Sequence, residues 1–125
     1  MTNISTYAAM NGEIIPFEQA NVSVASSAVL YGLSVYSVFF AKHTPDGMMA
    51  FRIPEHLERL RLSAKMIGFD DVHELVEEKK FTETLHKLIE ANKPTSDQFF
   101  RVTIHASELV PGVRTRDLEM TLSIF

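Results

Sequence analysis

A chain of 125 residues with 12 Lys+Arg against 16 Asp+Glu, a formal charge of −4, 46% hydrophobic and 22% charged residues has the arithmetic of one acidic globular domain. The absence of cysteine excludes a disulfide framework, thiolate catalysis and any zinc site built on sulfur. No apolar run approaches the roughly 20 residues needed to span a bilayer, Met1-Thr-Asn-Ile-Ser lacks the regions of a signal peptide, and the negative charge speaks against a phosphate backbone as ligand. The expectation is a cytoplasmic protein with neither membrane nor nucleic acid as partner.

From Tyr7 to Phe17 two short apolar runs surround Asn11-Gly12, a dipeptide that accepts the positive φ angles of a type I′ turn, so a tight hairpin is predicted. Glu18 to Ser27 reads as a loop or a single helical turn. Leu30 to Lys42, rich in aromatic and β-branched residues on both alternating faces, predicts a long strand central in its sheet. Thr44-Pro-Asp-Gly is a turn, with Met48 to Arg52 as the returning strand. Ile53-Pro-Glu begins a helix with Leu57, Leu60, Ala64 and Ile67 on one face and Gly68 as its stop. A second helical region is predicted from about Asp71 to Asn92, with Lys79-Lys80 as a candidate break and Lys93-Pro94 at its end. Gln98 to Ser107 and Leu118 to Phe125 read as strands around a loop from Glu108 to Arg116. The sum is a single domain, residues 1–125, of the α+β class: a two-layer sandwich of a mostly antiparallel sheet with two or three helices on one face.

The five histidines, His43, His56, His73, His86 and His105, fall at no ligand spacing, so no metal is expected. Glycine-rich phosphate loops and the Gly-x-Ser-x-Gly elbow are absent. Arginine placement carries more information. Arg59, Arg61 and Lys65 place three cations on one helix, which reads as a solvated face with Glu55 and Glu58 as partners; Arg59 also falls between the core positions Leu57 and Leu60, a placement at the edge of the buried face. Arg101 interrupts the apolar run Phe99-Phe-Arg-Val-Thr-Ile and needs an anion if it points inward. Tyr31 and Tyr36 flank Gly32, where the backbone permits close approach. Periodicity leaves open whether Arg59, Arg101, Tyr31 and Tyr36 are structural or functional.

Met10-Asn-Gly-Glu-Ile-Ile-Pro-Phe, Leu30-Tyr-Gly-Leu-Ser-Val-Tyr and above all Phe51-Arg-Ile-Pro-Glu-His-Leu-Glu-Arg-Leu-Arg-Leu-Ser-Ala-Lys-Met-Ile-Gly resemble, in the same order, the amino-terminal domain of class IV (fold type IV) pyridoxal-phosphate enzymes. That family includes branched-chain and D-amino-acid aminotransferases, R-selective amine transaminases and aminodeoxychorismate lyase. The resemblance implies pyridoxal 5′-phosphate as cofactor, with Arg59 holding its phosphate. It further implies that Tyr31 and Tyr36 line a substrate pocket, shared in some members across a homodimer. Arg101 would lie near the substrate carboxylate, with Arg114, in the loop Val110 to Arg116, as a second carboxylate partner. Three positions depart from the family: Ser37 stands where many members have Glu, Leu33 where many have Asp or Thr, and Phe99 where a tyrosine hydroxyl is usual. In the family the cofactor-bearing lysine lies in a second domain. Lys42, Lys65, Lys79, Lys80, Lys87 and Lys93 match no such position, so this chain is expected to carry no catalytic residue of its own. The expected function is the amino-terminal domain of an aminotransferase that moves an amino group between an amino acid or amine and a 2-oxo acid, incomplete without a C-terminal domain. The alternatives are the small domain of an aminodeoxychorismate-lyase-like enzyme and a stand-alone, non-catalytic oligomerising or anion-binding module.

Overall fold

The computed structural model describes residues 5–70, 72–110, 112, 114 and 116–125. Along the chain lie β1 (Tyr7–Met10), β2 (Glu13–Pro16), a 3-10 turn (Phe17–Gln19), α1 (Ser27–Tyr31), β3 (Ser34–Thr44), β4 (Gly47–Ala50), α2 (Ile53–Met66), α3 (Glu78–Asn92), β5 (Gln98–Ala106) and β6 (Met120–Ile124). The strands form one antiparallel sheet in the order β2-β1-β6-β5-β3-β4. With helices packed on it, this is the α+β architecture expected from the sequence.

The hairpin forms where Asn-Gly allows it, with φ of 49° at Asn11 and 84° at Gly12. Asn11 also extends the sheet: its amide donates to the Leu122 carbonyl at 2.8 Å and its side-chain oxygen accepts from the Leu122 amide at 2.9 Å. At the other end of β1, the Asn92 side-chain amide clamps both backbone groups of Tyr7, at 2.9 and 3.1 Å, and so ties the end of α3 to the strand.

Two elements differ from the expectation. The strand predicted from Leu30 begins at Ser34, because Ser26 caps a short helix by accepting from the Val29 amide and Gly32, at φ 67°, ends it in the left-handed region. The second helix begins at Glu78 rather than near position 71, which itself lies outside the described residues. The reason is local: the Glu77 carboxylate accepts from the amides of Lys79 and Lys80, at 3.1 and 2.9 Å, and these bonds lower its pKa. Lys79-Lys80 therefore sit in the first turn of one unbroken helix. Glu77→Ala is expected to lower the melting temperature while leaving the folded spectrum intact; an unchanged melting temperature would deny the cap its role.

Helices α2 and α3 cover one face of the sheet. Leu57, Leu60 and Ala64 of α2 and Phe81, Leu85 and Leu88 of α3 are buried against Val35, Phe39, Phe100, Val102, Ile104 and Ile124. Phe39 lies at the centre, 5.5 Å from the Phe100 ring, 6.0 Å from Phe81 and 5.9 Å from His56. β3 is not buried on both faces as its composition suggested. Val35, Ser37, Phe39 and Ala41 face the helices, whereas Tyr36 and Val38 are exposed on the opposite face together with Phe99 and Arg101 of β5. Among the described residues β4 pairs with Ala41 to Thr44 alone, so the first half of β3 has β5 as its one described sheet neighbour. Among the described residues no helix is long and apolar enough to cross a membrane, and no group of three or more His, Cys, Asp or Glu is placed to hold a metal ion.

Candidate functional site

α2 carries the first cluster. Its buried stripe through Leu57 and Leu60 fixes the helix on the sheet, which leaves Arg59 exposed at the rim and His56, three residues earlier, on the same side. One terminal nitrogen of Arg59 (Nη1) donates to Ser37 Oγ at 3.2 Å, and the same oxygen lies 2.8 Å from His56 Nδ1. Ser37 has no solvent exposure. Burial first, and then the positive charges of Arg59 and Arg52, push the His56 pKa below its ordinary 6.5, against a smaller pull from Glu55.

Arg59 differs from its neighbours in what it lacks. Arg61 forks onto Glu58 at 2.7 and 3.0 Å, and Arg52 approaches Glu55 at 4.0 Å. Among the described residues no carboxylate pairs with Arg59. Its guanidinium therefore keeps donors for an external anion, and a planar fork beside a neutral imidazole and a hydroxyl is the donor chemistry that a phosphate group needs.

The second cluster occupies the open face of the sheet. Val38 stands opposite Arg101 and Tyr36 opposite Thr103 in the β3–β5 register, so Arg101 reaches diagonally to lay its guanidinium carbon 3.8 Å from the centre of the Tyr36 ring. Arg101 is thus exposed and resting on an aromatic face, not buried in search of an anion. Beside it a cavity of about 340 Å³ opens between the sheet, the 3-10 turn and α1, with Met10, Phe17, Val29 and His105 in its walls. Burial lowers the pKa of His105 as well.

Tyr36 and Ser37 are consecutive in β3, so their side chains leave opposite faces of the sheet. The chain therefore brings Tyr36 and Arg101 together and Arg59, Ser37 and His56 together, on two sides of one stretch of strand. Tyr31 ends α1 with 41% of its surface exposed, and its side chain makes no hydrogen bond or ring contact among the described residues. Arg114 is exposed, its amide donating to the Gly112 carbonyl at 3.1 Å, while Pro111, Val113 and Thr115 lie outside the described residues. The Ser37–His56 pair escaped sequence reasoning, although the three-residue spacing of His56 and Arg59 on a helix was the available signal.

The two depressed histidines set a pH dependence. Above about pH 6.5 they are neutral in folded and unfolded chains alike; below it the unfolded chain takes up protons that the folded chain refuses. Stability is expected to be level from pH 8 to 7 and to decline as the pH falls below about 6.5, until the folded imidazoles titrate too. Urea midpoints across that range check this, and a His105→Gln variant should flatten part of the slope.

No protein-family model matches the chain. It is 33% identical over 112 residues to a branched-chain-amino-acid aminotransferase of Salmonella typhimurium, covering 90% of this chain and 35% of that protein. The branched-chain amino acid aminotransferase from Escherichia coli superposes with a TM-score of 0.83 at 27% identity, over 97% of this chain and 40% of that one. The crystal structure of the branched-chain aminotransferase from the thermophilic archaeon Thermoproteus uzoniensis with norvaline gives 0.82 at 27% identity, over 97% and 40%. In sequence and in fold the chain is thus similar to the amino-terminal part of branched-chain aminotransferases. It spans about a third of the length of the curated relatives it matches.

Proposed function

We propose that this chain forms the amino-terminal part of a pyridoxal-phosphate-dependent aminotransferase that moves an amino group between an amino acid of the branched-chain class and a 2-oxo acid. The observation that carries the reading is Arg59, an exposed guanidinium without a carboxylate partner among the described residues, held by Ser37 at the rim of α2. It would take the cofactor's phosphate. Pyridoxal phosphate, when bound, supplies an electron-withdrawing ring that stabilises charge on the carbon bearing the amino group. Arg101, lying on Tyr36, would orient the substrate carboxylate, and the exposed Val38 offers the branched side chain an apolar neighbour. Tyr31, at the end of α1, and Arg114, in the connection between β5 and β6, would serve the site across a homodimer, in the cytoplasm. The lysine and the rest of the pocket would come from the portion of the relatives that this chain does not span, leaving this part to bind and orient.

The exposed apolar side chains Val38, Phe51 and Phe99 favour this reading over a stand-alone module, because surface of this kind is more stable when a further domain covers it. Phosphorus NMR of pyridoxal phosphate added to the chain tests the phosphate-holding role of Arg59: saturable binding that inorganic phosphate displaces is expected, and no binding, or binding that inorganic phosphate leaves untouched, would overturn it. An anion-binding module would share that result, so the size distribution of the isolated chain separates the two: aggregation or tight self-association is expected for part of a larger enzyme, and a monodisperse monomer would favour the module.

A further inference from the structure

We propose that Ser37 and His56 are positioning residues for Arg59, forming a directed relay in which the guanidinium donates to the Ser37 hydroxyl and that hydroxyl donates to His56 Nδ1. The inference rests on the reading of Arg59 as an anion holder and adds what aims it.

The direction of the relay follows from counting protons. Ser37 Oγ has two partners, Arg59 Nη1 at 3.2 Å and His56 Nδ1 at 2.8 Å. An arginine nitrogen can only donate. Were Nδ1 also protonated, both neighbours would donate to Oγ, and the proton of a hydroxyl with no solvent exposure would have no acceptor, a costly arrangement. With Nδ1 as acceptor the buried hydroxyl both accepts and donates, and His56 carries its proton on Nε2. The imidazole is in turn held against the Phe39 ring, itself in the centre of the core. A long, exposed arginine side chain is thereby anchored, through two side chains, to the buried core, so less rotamer freedom is lost when it meets an anion.

Two measurements on the same chain test this. Long-range nitrogen–proton NMR of the imidazoles at pH 8 is expected to show His56 with its proton on Nε2. Titration with inorganic phosphate is expected to show that Ser37→Ala and His56→Phe, which keeps a ring against Phe39, each weaken binding about fivefold, the worth of roughly one net hydrogen bond. In an Arg59→Ala background Ser37→Ala should have no further effect, which a merely structural role would not produce. A proton on Nδ1, or a Ser37→Ala variant with the parent's phosphate affinity, would overturn the relay while leaving Arg59 as an anion holder. Absence of saturable phosphate binding in the parent chain would overturn the reading of Arg59 and the relay with it.

Discussion

Phe39→Ala is expected to destabilise the domain by about 3–5 kcal/mol, the usual cost of emptying an aromatic site in a packed core. The ring is 1% exposed and touches every layer of the fold: Phe100 on the neighbouring strand, Phe81 on α3 and His56 on α2. Little around it can collapse into the space, because both helices are already fixed by their own buried leucines. Against a total stability on the order of 5–15 kcal/mol, such a loss leaves a large unfolded fraction at ambient temperature. Phe39→Leu keeps most of the volume and is expected to cost about 1–1.5 kcal/mol. Urea denaturation of the three proteins gives these differences. An alanine variant within about 1 kcal/mol of the parent would show that the two-layer packing is not what holds the domain together.

Arg59→Ala is the substitution with the largest expected effect on binding. A guanidinium that forks onto a phosphate makes two charge-assisted hydrogen bonds, each contributing about 1.5–3 kcal/mol. At roughly 1.4 kcal/mol per tenfold, the loss of both weakens cofactor affinity about 100-fold or more. Arg59→Lys retains charge but not the fork and should fall between. Because Arg59 is exposed and pairs with no carboxylate among the described residues, neither variant should move the urea midpoint much, so folding and binding separate cleanly. Equilibrium dialysis against pyridoxal phosphate checks the magnitudes. An alanine variant with the parent's affinity would remove Arg59 from the site.

Much of the fold was legible because its signals are local. Asn11-Gly12 dictates its turn, Pro54 and Gly68 bracket α2, and alternation marks β5. What escaped were contacts that no window of sequence contains. The carboxylate of Glu77 and the hydroxyl of Ser26 decide where α3 and α1 begin, yet a capping side chain looks like any other polar residue until its backbone turns extended. The aromatic and β-branched run of β3 suggested a strand buried on both sides, because composition reports how apolar a face is and not whether anything covers it. The same limit applied to the site. Arg59 and Arg101 stood out as charges in apolar settings, but their partners, Ser37 22 residues away and Tyr36 across the β3–β5 ladder, are set by packing and register. Ser37 stood in the sequence as one position of an alternating strand and as a departure from the family the chain resembles; its hydrogen bonds to Arg59 and His56 join residues that no window of sequence holds together.

The proposed function has this chain supply the phosphate-holding part of an aminotransferase, with the lysine coming from the portion that its relatives have and this chain does not span. The most direct measurement is amino-group transfer from a branched-chain amino acid to a 2-oxo acid, with pyridoxal phosphate present, by the 125-residue chain and by the same chain extended with the remaining portion of the Salmonella typhimurium relative. The account predicts transfer by the extended protein, weakened by Arg59→Ala, and none by the 125 residues alone. Transfer at full rate by the 125-residue chain, or none by an extended protein that folds and binds pyridoxal phosphate, would contradict it.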